Sequence, residues 1–268
     1  MDNVRIELQE HIAVVTLDRA PVNALTYETF AAIADAFDSL SAGRDARVAI
    51  LTSANERVFC AGVDLDDSPR RYRPDGRREE GGPKGDARDQ VDPGRIVRRC
   101  FSAVRDCAVP VIAALDGKAI GAGVALLGCC DLVIASDRAS LALTEINVGV
   151  LGGVRHTQRL VGRSLARRMF LTGEFVSAEE VYRRGGIEAV VPPAELLPTA
   201  RALAATIATK SPIAVRLAKE SANRVEDLPL DEGYRLEQDY TARVRRHRDS
   251  DEARIATLEK RAPGFAWE

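Results

Sequence analysis

Short apolar runs of strand length alternate along the chain with stretches in which apolar residues recur every three or four positions. The runs at 13–17 and 48–52 are apolar almost throughout, which is typical of buried strands. Between them the apolar residues have the i, i+3, i+4, i+7 spacing of a helix with one buried face, at Phe30, Ile33, Ala34 and Phe37. This part of the pattern predicts a strand, a helix and a second strand, in that order.

The same order of elements recurs further along the chain. A buried strand is predicted at 111–115, a helix after Gly123 and another strand from Leu132. Later, Ser177 with Glu180 three residues on has the spacing of a capping box at a helix N-terminus. Strands that alternate with helices indicate an α/β architecture.

The strand patterns end at Pro192 and Pro193, and only helical patterns follow. These patterns predict four helices, at 196–209, 212–225, 231–245 and 250–260. We therefore predict a core over residues 1–195 and a helical appendage over residues 196–268.

The segment at about 68–95 departs from this alternation. It is crowded with Arg, Asp, Gly and Pro and has almost no large apolar residues. A segment of this composition cannot bury enough apolar surface to offset the entropy lost on ordering. We predict a mobile, solvated loop of the kind that long insertions commonly form.

Composition and charge narrow the classes of protein that fit. The chain has 268 residues, of which 46% are hydrophobic, enough to bury a sizeable core. Its 38 Lys and Arg residues nearly balance 40 Asp and Glu residues, for a formal net charge of -2. Because the overall field favours neither nucleic acid nor an anionic membrane, we expect neither partner.

The cysteines and the N-terminus indicate a cytoplasmic protein. The five cysteines form no Cys-x-x-Cys pair and no zinc-site spacing with histidine, so we expect no metal and predict reduced core residues, at Cys60, Cys100, Cys107, Cys129 and Cys130. The first residues lack a basic region followed by an apolar one, and no apolar run is long enough to span a bilayer. We therefore expect neither secretion nor membrane insertion.

Two glycine-rich segments carry the clearest chemistry. They lie at 59–65 and 117–123, each after an apolar strand-like run, and a lone acidic residue, Glu145, lies downstream. Small residues let a backbone approach a ligand closely, and backbone N–H groups aimed at a carbonyl oxygen stabilise negative charge that develops there. The second segment precedes a predicted buried helix, so its N–H groups would lie at a helix N-terminus. Together these features indicate a site for chemistry beside an acyl-thioester carbonyl.

These segments, with others in order along the chain, resemble the crotonase (enoyl-CoA hydratase/isomerase) superfamily over nearly the whole length. The matching segments are 21–25, 59–65, 113–123 leading into 130–135, 171–173 and 219–221. The resemblance implies a spiral of repeated ββα units. It also implies C-terminal helices that build a homotrimer or a hexamer, and coenzyme A that enters as part of the substrate, with no other cofactor.

The resemblance also implies roles for individual residues. The two oxyanion donors fall on the backbone N–H groups of Val63 and Ala122; the second position is usually glycine, and alanine keeps the N–H group. Further positions match those that line the path of the coenzyme A and pantetheine moieties, at Val22, Ala24, Ala61, Asp64, Leu65 and Gly121.

The acidic positions distinguish this chain from the hydratases that it resembles. Those enzymes use two glutamates, one to activate water and one to help deliver a proton. The first glutamate falls here on Ala125, which cannot transfer a proton, whereas the second is present as Glu145. One carboxylate suits double-bond isomerisation, in which a single base removes a proton from C2 of a 3-enoyl-CoA and returns it to C4. An apolar pocket that raises the pKa of Glu145 would suit this base.

Other functions stay open at this point. A hydratase could use a substitute acid, such as Asp64 or a loop aspartate. Some crotonase-like hydrolases of cyclic keto acyl-CoA carry one glutamate and a Gly-x-x-x-His stretch similar to 152–156, although His156 is more simply a structural or surface residue at a helix start. A different class is a non-catalytic acyl-CoA binding module. The 68–95 segment, finally, could be a lid that brings arginines to the coenzyme A phosphates, among them Arg70, Arg71 and Arg73.

Overall fold

The apolar runs form the strands of two sheets in a computed structural model that describes residues 3–65, 70–72, 78–80 and 86–268. The strands are β1 (Val4–Gln9), β2 (Ile12–Leu17), β3 (Val48–Ser53), β4 (Val58–Cys60), β5 (Arg70–Tyr72), β6 (Arg78–Glu80), β7 (Val111–Leu115), β8 (Lys118–Ile120), β9 (Leu132–Ser136), β10 (Ser140–Ala142), β11 (Val176–Ser177) and β12 (Ala189–Val191). The helices are α1 (Tyr27–Ala42), α2 (Ala87–Val91), α3 (Arg95–Arg105), α4 (Ala122–Cys129), α5 (Val154–Thr172), α6 (Ala178–Arg183), α7 (Pro193–Ala208), α8 (Pro212–Val225), α9 (Leu230–Val244) and α10 (Arg248–Glu259), with a 3-10 turn at Thr144–Val148.

The chain winds between the two sheets in a repeated pattern. The larger sheet has the strand order β1-β2-β3-β7-β9-β12 and the smaller one β11-β10-β8-β4. In the larger sheet β2, β3, β7, β9 and β12 run parallel to one another, and β1 is antiparallel to β2. From β3, β7 and β9 the chain passes into β4, β8 and β10 of the smaller sheet and later into a helix. This arrangement confirms the predicted α/β fold of repeated ββα units.

The larger sheet is covered on both faces, as parallel sheets usually are. One face packs against the helices of the ββα units, and the predicted residues of α1, Phe30, Ile33 and Phe37, lie in that cluster. The other face packs against α7, through residues that include Leu196 and Ala200. The predicted boundary at residue 195 therefore falls within α7, which is part of the core packing rather than of a separate appendage.

Helix α8 is attached to the core mainly by side chains that donate to backbone carbonyl groups. Arg216 donates to the carbonyls of Ser41 and Gly43 at the end of α1. Lys219 donates to the carbonyl of Val109 at 3.1 Å and forms an ion pair with Asp131 at 2.7 Å. Cations at these positions satisfy carbonyl groups that a helix or loop leaves without partners.

None of the helices in the described residues combines the length and the apolar character that a membrane span needs.

We expect the Lys219→Met substitution to destabilise the protein by about 3 kcal/mol, because removing one partner of a buried ion pair leaves the other charge uncompensated. Only 4% of the Lys219 side chain is exposed, against 25% of that of Asp131. Chemical denaturation of the variant beside Lys210→Met, which changes an exposed lysine, measures the loss. Equal stability of the two variants would contradict a structural role for the pair.

Much of the predicted loop at 68–95 lies outside the described residues, but its C-terminal part is helical. Asp86 accepts hydrogen bonds from the backbone N–H groups of Arg88 and Asp89, and the Asp89 carboxylate accepts one from that of Asp86. This capping box begins α2 at Ala87, so the predicted loop extended too far. The side chains of Arg70 and Arg71 and the whole of Arg73 lie outside what the structure describes, so the lid stays a prediction.

Candidate active site

The two glycine-rich segments lie against each other, although they are far apart in sequence. Gly62 has a φ of 89°, and a β-carbon at this position would lie 3.0 Å from the carbonyl oxygen of Ile120 and 3.6 Å from the backbone nitrogen of Ala122. A β-carbon on Gly123 would lie 2.9 Å from the β-carbon of Cys60. Glycine is therefore required at both positions for the close approach of the two backbones.

The peptide group between Gly62 and Val63 is oriented by pairing with Leu25. The Leu25 N–H group donates to the carbonyl of Gly62 at 2.7 Å, and the Asp64 N–H group donates to the carbonyl of Leu25 at 2.9 Å. Because the carbonyl and N–H of a trans peptide point in opposite directions, the Val63 N–H group points away from Leu25. The Val63 N–H group therefore takes no part in the hydrogen bonds with Leu25.

The peptide group between Gly121 and Ala122 has a comparable orientation. The carbonyl of Gly121 accepts a hydrogen bond from Ala125 at 3.1 Å, as the first bond of α4. The N–H group of Ala122 therefore points out of the N-terminus of α4, where the helix dipole favours negative charge. With Val63, it provides two backbone donors from adjoining segments, an arrangement that can bind a carbonyl oxygen.

Glu145 lies in the 3-10 turn and directs its carboxylate at the start of α4. A β-carbon on Gly121 would lie 2.8 Å from the carboxyl carbon of Glu145, and one on Gly152 would lie 3.5 Å from Oε1. Gly121 has a φ of 54°, so both backbone conformation and space require glycine there. Among the described residues, Glu145 Oε2 is buried without a hydrogen-bond partner.

Burial raises the pKa of the Glu145 carboxyl above its usual 4.5, and a hydrogen bond from its own backbone N–H opposes the shift. An unpaired, partly desolvated carboxylate is a stronger base than a solvated one. This group thus has the properties that proton abstraction beside a carbonyl requires.

The raised pKa predicts how Glu145 affects stability. At a pH below both the folded and the unfolded pKa values, the carboxyl is neutral in both states and does not change the free energy of unfolding. As the pH rises past the unfolded pKa, ionisation favours the unfolded state and lowers the free energy of unfolding. We therefore expect Glu145→Gln to melt at a higher temperature than the unsubstituted protein at about pH 8 and at the same temperature at about pH 4. Thermal melts across this range check the sign, and a variant that is less stable at about pH 8 would contradict it.

Apolar groups surround the start of α4 where the first glutamate of the hydratases would lie. Ala125 is 1% exposed, and a β-carbon on Gly153 would lie 3.1 Å from Leu143 Cδ2 and 3.9 Å from Ala125 Cβ. No charged neighbour contributes to the pKa shift of Glu145. The described surroundings of the α4 N-terminus are thus apolar on this side.

The predicted coenzyme A residues other than Gly121 lie along one strip beside Val63. The Ala61 N–H group donates to the carbonyl of Val22 at 3.1 Å. Asp64 forms an ion pair with Arg19 at 2.8 Å, and Arg19 also donates to the carbonyl of Ala24 at 3.0 Å. Leu65 follows Asp64 and is exposed. Gly121 lies apart from this strip, against Glu145.

The role of Arg19 was not predicted from the sequence. It follows β2 and joins Ala24 to Asp64 by its guanidinium group. The sequence around Arg19, two residues before Pro21, does not indicate this contact, because Asp64 is distant in sequence.

His156 lies at the opposite end of α4 from the donors. Its ring centroid is 5.0 Å from that of Phe101, and a β-carbon on Gly128 would lie 2.7 Å from the carbonyl carbon of His156. Burial lowers the pKa of His156, and Arg159 adds to the effect. The ring therefore packs between helices as a neutral side chain, in agreement with the structural interpretation.

The described part of the chain contains no cluster of His, Cys, Asp or Glu side chains that could hold a metal ion. All five cysteines are free and buried. Burial raises the pKa of Cys60, which adjoins the first glycine-rich segment, to about 12. Its side chain is therefore a neutral thiol that packs in the core.

Comparisons with known proteins agree on one family. A model of the enoyl-CoA hydratase/isomerase family matches residues 7–268. A (7aS)-7a-methyl-1,5-dioxo-2,3,5,6,7,7a-hexahydro-1H-indene-carboxyl-CoA hydrolase from Rhodococcus jostii is 37% identical over 94% of this chain and 92% of its own. An (E)-benzylidenesuccinyl-CoA hydratase from Thauera aromatica is 34% identical over 98% of both chains. The crystal structure of enoyl-CoA hydratase from Bacillus anthracis superposes with a TM-score of 0.87 at 30% identity, covering 99% of this chain and 100% of that one.

Proposed function

The chain belongs to the enoyl-CoA hydratase/isomerase family of enzymes, which act on acyl-CoA thioesters, and from that premise we propose that it isomerises 3-enoyl-CoA to trans-2-enoyl-CoA. Glu145 is the base in this proposal, and the N–H groups of Val63 and Ala122 bind the thioester oxygen. The observation that carries the proposal is the buried, unpartnered Oε2 atom of Glu145 together with alanine at position 125.

The proposed reaction needs one carboxylate and neither gains nor loses an atom. Glu145 removes a proton from C2, and the electron pair of that bond forms a double bond between C2 and the thioester carbon, C1. The π pair of the carbonyl moves onto the thioester oxygen, which gives a dienolate whose charge rests on that oxygen. The two N–H groups stabilise this charge. The carbonyl then re-forms, the C1–C2 pair moves to make the C2–C3 double bond, and the pair of the C3–C4 double bond takes the proton of Glu145 at C4. This restores the carboxylate.

Hydration by a substitute acid has less support. It requires a second group that transfers a proton, and Asp64, the named substitute, is held in its ion pair with Arg19 at 2.8 Å. The non-catalytic alternative also has little support, since Glu145 is retained in a chain that belongs to a family of enzymes.

Hydrolysis of a cyclic keto acyl-CoA is the second candidate function. It is favoured by the similarity to the hydrolase from Rhodococcus jostii, at 37% identity. In this reaction water adds to the ring ketone, the bond from the ketone carbon to C2 breaks, and C2 takes a proton. His156 does not support it, because its ring packs against Phe101 at the far end of α4.

We also propose that the protein is a homotrimer or hexamer in the cytoplasm, with no cofactor beyond the coenzyme A of its substrate. The support for oligomers comes from the C-terminal helices, where large apolar side chains are exposed without cover in the described chain: Leu230, Tyr234 and Leu258. Surfaces of this kind commonly mark contacts between subunits.

Assays of three thioesters distinguish the candidate functions. Isomerisation predicts that 3-pentenoyl-CoA gains the absorbance of a conjugated thioester. Loss of that absorbance from trans-2-pentenoyl-CoA, with no action on the 3-enoyl substrate, would instead establish hydration. Ring opening of 2-oxocyclohexane-1-carboxyl-CoA, followed by mass spectrometry as the gain of one water, would establish hydrolysis. Action on none of them would contradict all three.

A further inference from the structure

Two glycines, Gly121 and Gly152, border the carboxylate of Glu145, and Gly153 follows the second; the three differ in what their backbones permit. Gly121 and Gly153 have φ values of 54° and 77°, which any other residue adopts only with strain. Gly152 is not among the residues with positive φ. It is therefore the glycine at this site whose backbone accepts an L side chain.

The space around Gly152 also differs from that around its neighbours. A β-carbon on Gly121 would lie 2.8 Å from the carboxyl carbon of Glu145, and one on Gly153 would lie 3.1 Å from Leu143 Cδ2. A β-carbon on Gly152 would meet one atom of the described residues within 4 Å, Glu145 Oε1, at 3.5 Å. That distance is an ordinary van der Waals contact.

Position 152 thus faces the base, is open to a side chain and has none. The space is partly open to solvent, and it borders Oε1 of the carboxylate that exchanges a proton with the substrate in the proposed reaction. Leu143 and Ala125, which border the adjacent Gly153, are buried and apolar, so the wall that continues from this space suits an alkyl group.

We propose that Gly152 is a specificity-determining residue that admits a second alkyl group on the carbon that receives the proton. This inference rests on the proposed function. The preferred substrates are then acyl-CoA thioesters with two carbon substituents at C4, as in branched or ring-bearing acyl groups. A methyl group on residue 152 would occupy the same space as the second substituent.

The test compares 3-pentenoyl-CoA with 4-methyl-3-pentenoyl-CoA, which differ by one methyl group on C4. The unsubstituted enzyme turns over both. In Gly152→Ala the ratio of kcat/KM for the branched substrate to that for the straight one falls at least about tenfold, since one methyl group in an apolar pocket changes specificity by about 10-fold to 200-fold. Gly233→Ala, in α9 with no neighbour of its β-carbon nearer than 3.5 Å, keeps the ratio of the unsubstituted enzyme.

A binding measurement separates this inference from the proposed reaction. The saturated thioesters pentanoyl-CoA and 4-methylpentanoyl-CoA differ by the same methyl group and need no turnover. Calorimetry of Gly152→Ala is expected to show a selective loss of affinity for the branched thioester of about tenfold. Equal losses for both thioesters, or no loss, would overturn the role of Gly152 even where isomerisation is observed. A selective loss without isomerase activity would instead contradict the proposed reaction alone.

Discussion

Glu145→Gln is expected to lower the kcat of isomerisation by about 10³-fold, because the amide cannot accept the proton from C2, and general acid–base catalysis contributes about 10²-fold to 10⁴-fold. Glutamine has nearly the same shape as glutamate, and it fits between Gly121 and Gly152, where the carboxylate now lies. The loss should therefore appear in kcat, with little change in KM, since the thioester is bound by other groups.

The matched control for this prediction is Glu174→Gln. Glu174 follows α5, is exposed, and makes its backbone hydrogen bond to the side chain of Thr172. The control is expected to retain the turnover of the unsubstituted enzyme. Turnover by Glu145→Gln at the level of this control would show that another group is the base.

Ala122→Pro is expected to lower kcat by about 10²-fold to 10³-fold, the usual effect of removing one oxyanion donor. Proline removes the N–H group and nothing else from the hydrogen bonds of α4, since Ala122 is the first residue of that helix and proline is favoured at this position. Gly121, which precedes it, has no β-carbon to meet the proline ring.

Two measurements separate loss of the donor from general damage to the site. Ala122→Gly keeps the N–H group, and we expect it to retain turnover within about threefold of the unsubstituted enzyme, because the donor is the group that acts. Thermal melts of both variants report whether α4 stays folded. Full activity in a folded Ala122→Pro would exclude this N–H group from the reaction.

Local sequence patterns predicted most of the fold. The run at 48–52 forms β3 and that at 111–115 forms β7, because continuous apolar residues suit strands that are buried on both faces. Four helical patterns near the C-terminus correspond to α7 through α10 within a few residues. Ser177 caps α6 as predicted, but the Glu180 carboxylate pairs with Arg168 and Arg184 instead of completing the capping box.

The features that sequence patterns missed depend on contacts between distant segments. Nothing in the run after β2 indicates that Arg19 reaches Asp64, and nothing near Gly152 indicates that it borders Glu145. The boundary at 195 was misplaced for a similar reason. Helix α7 has the pattern of any half-buried helix, and its packing on the larger sheet is decided by the topology and not by its own residues.

An isotope measurement shows whether a single carboxylate carries one proton from C2 to C4. The substrate is 3-pentenoyl-CoA with two deuterons at C2, converted in ordinary water and analysed by mass spectrometry after the first turnovers. Glu145 Oε2 is buried, so a deuteron taken from C2 is shielded from exchange with water. We therefore expect a product population that retains both deuterons, one at C2 and one at C4. A product that carries a single deuteron throughout, with hydrogen from water at C4, would contradict transfer by Glu145 alone.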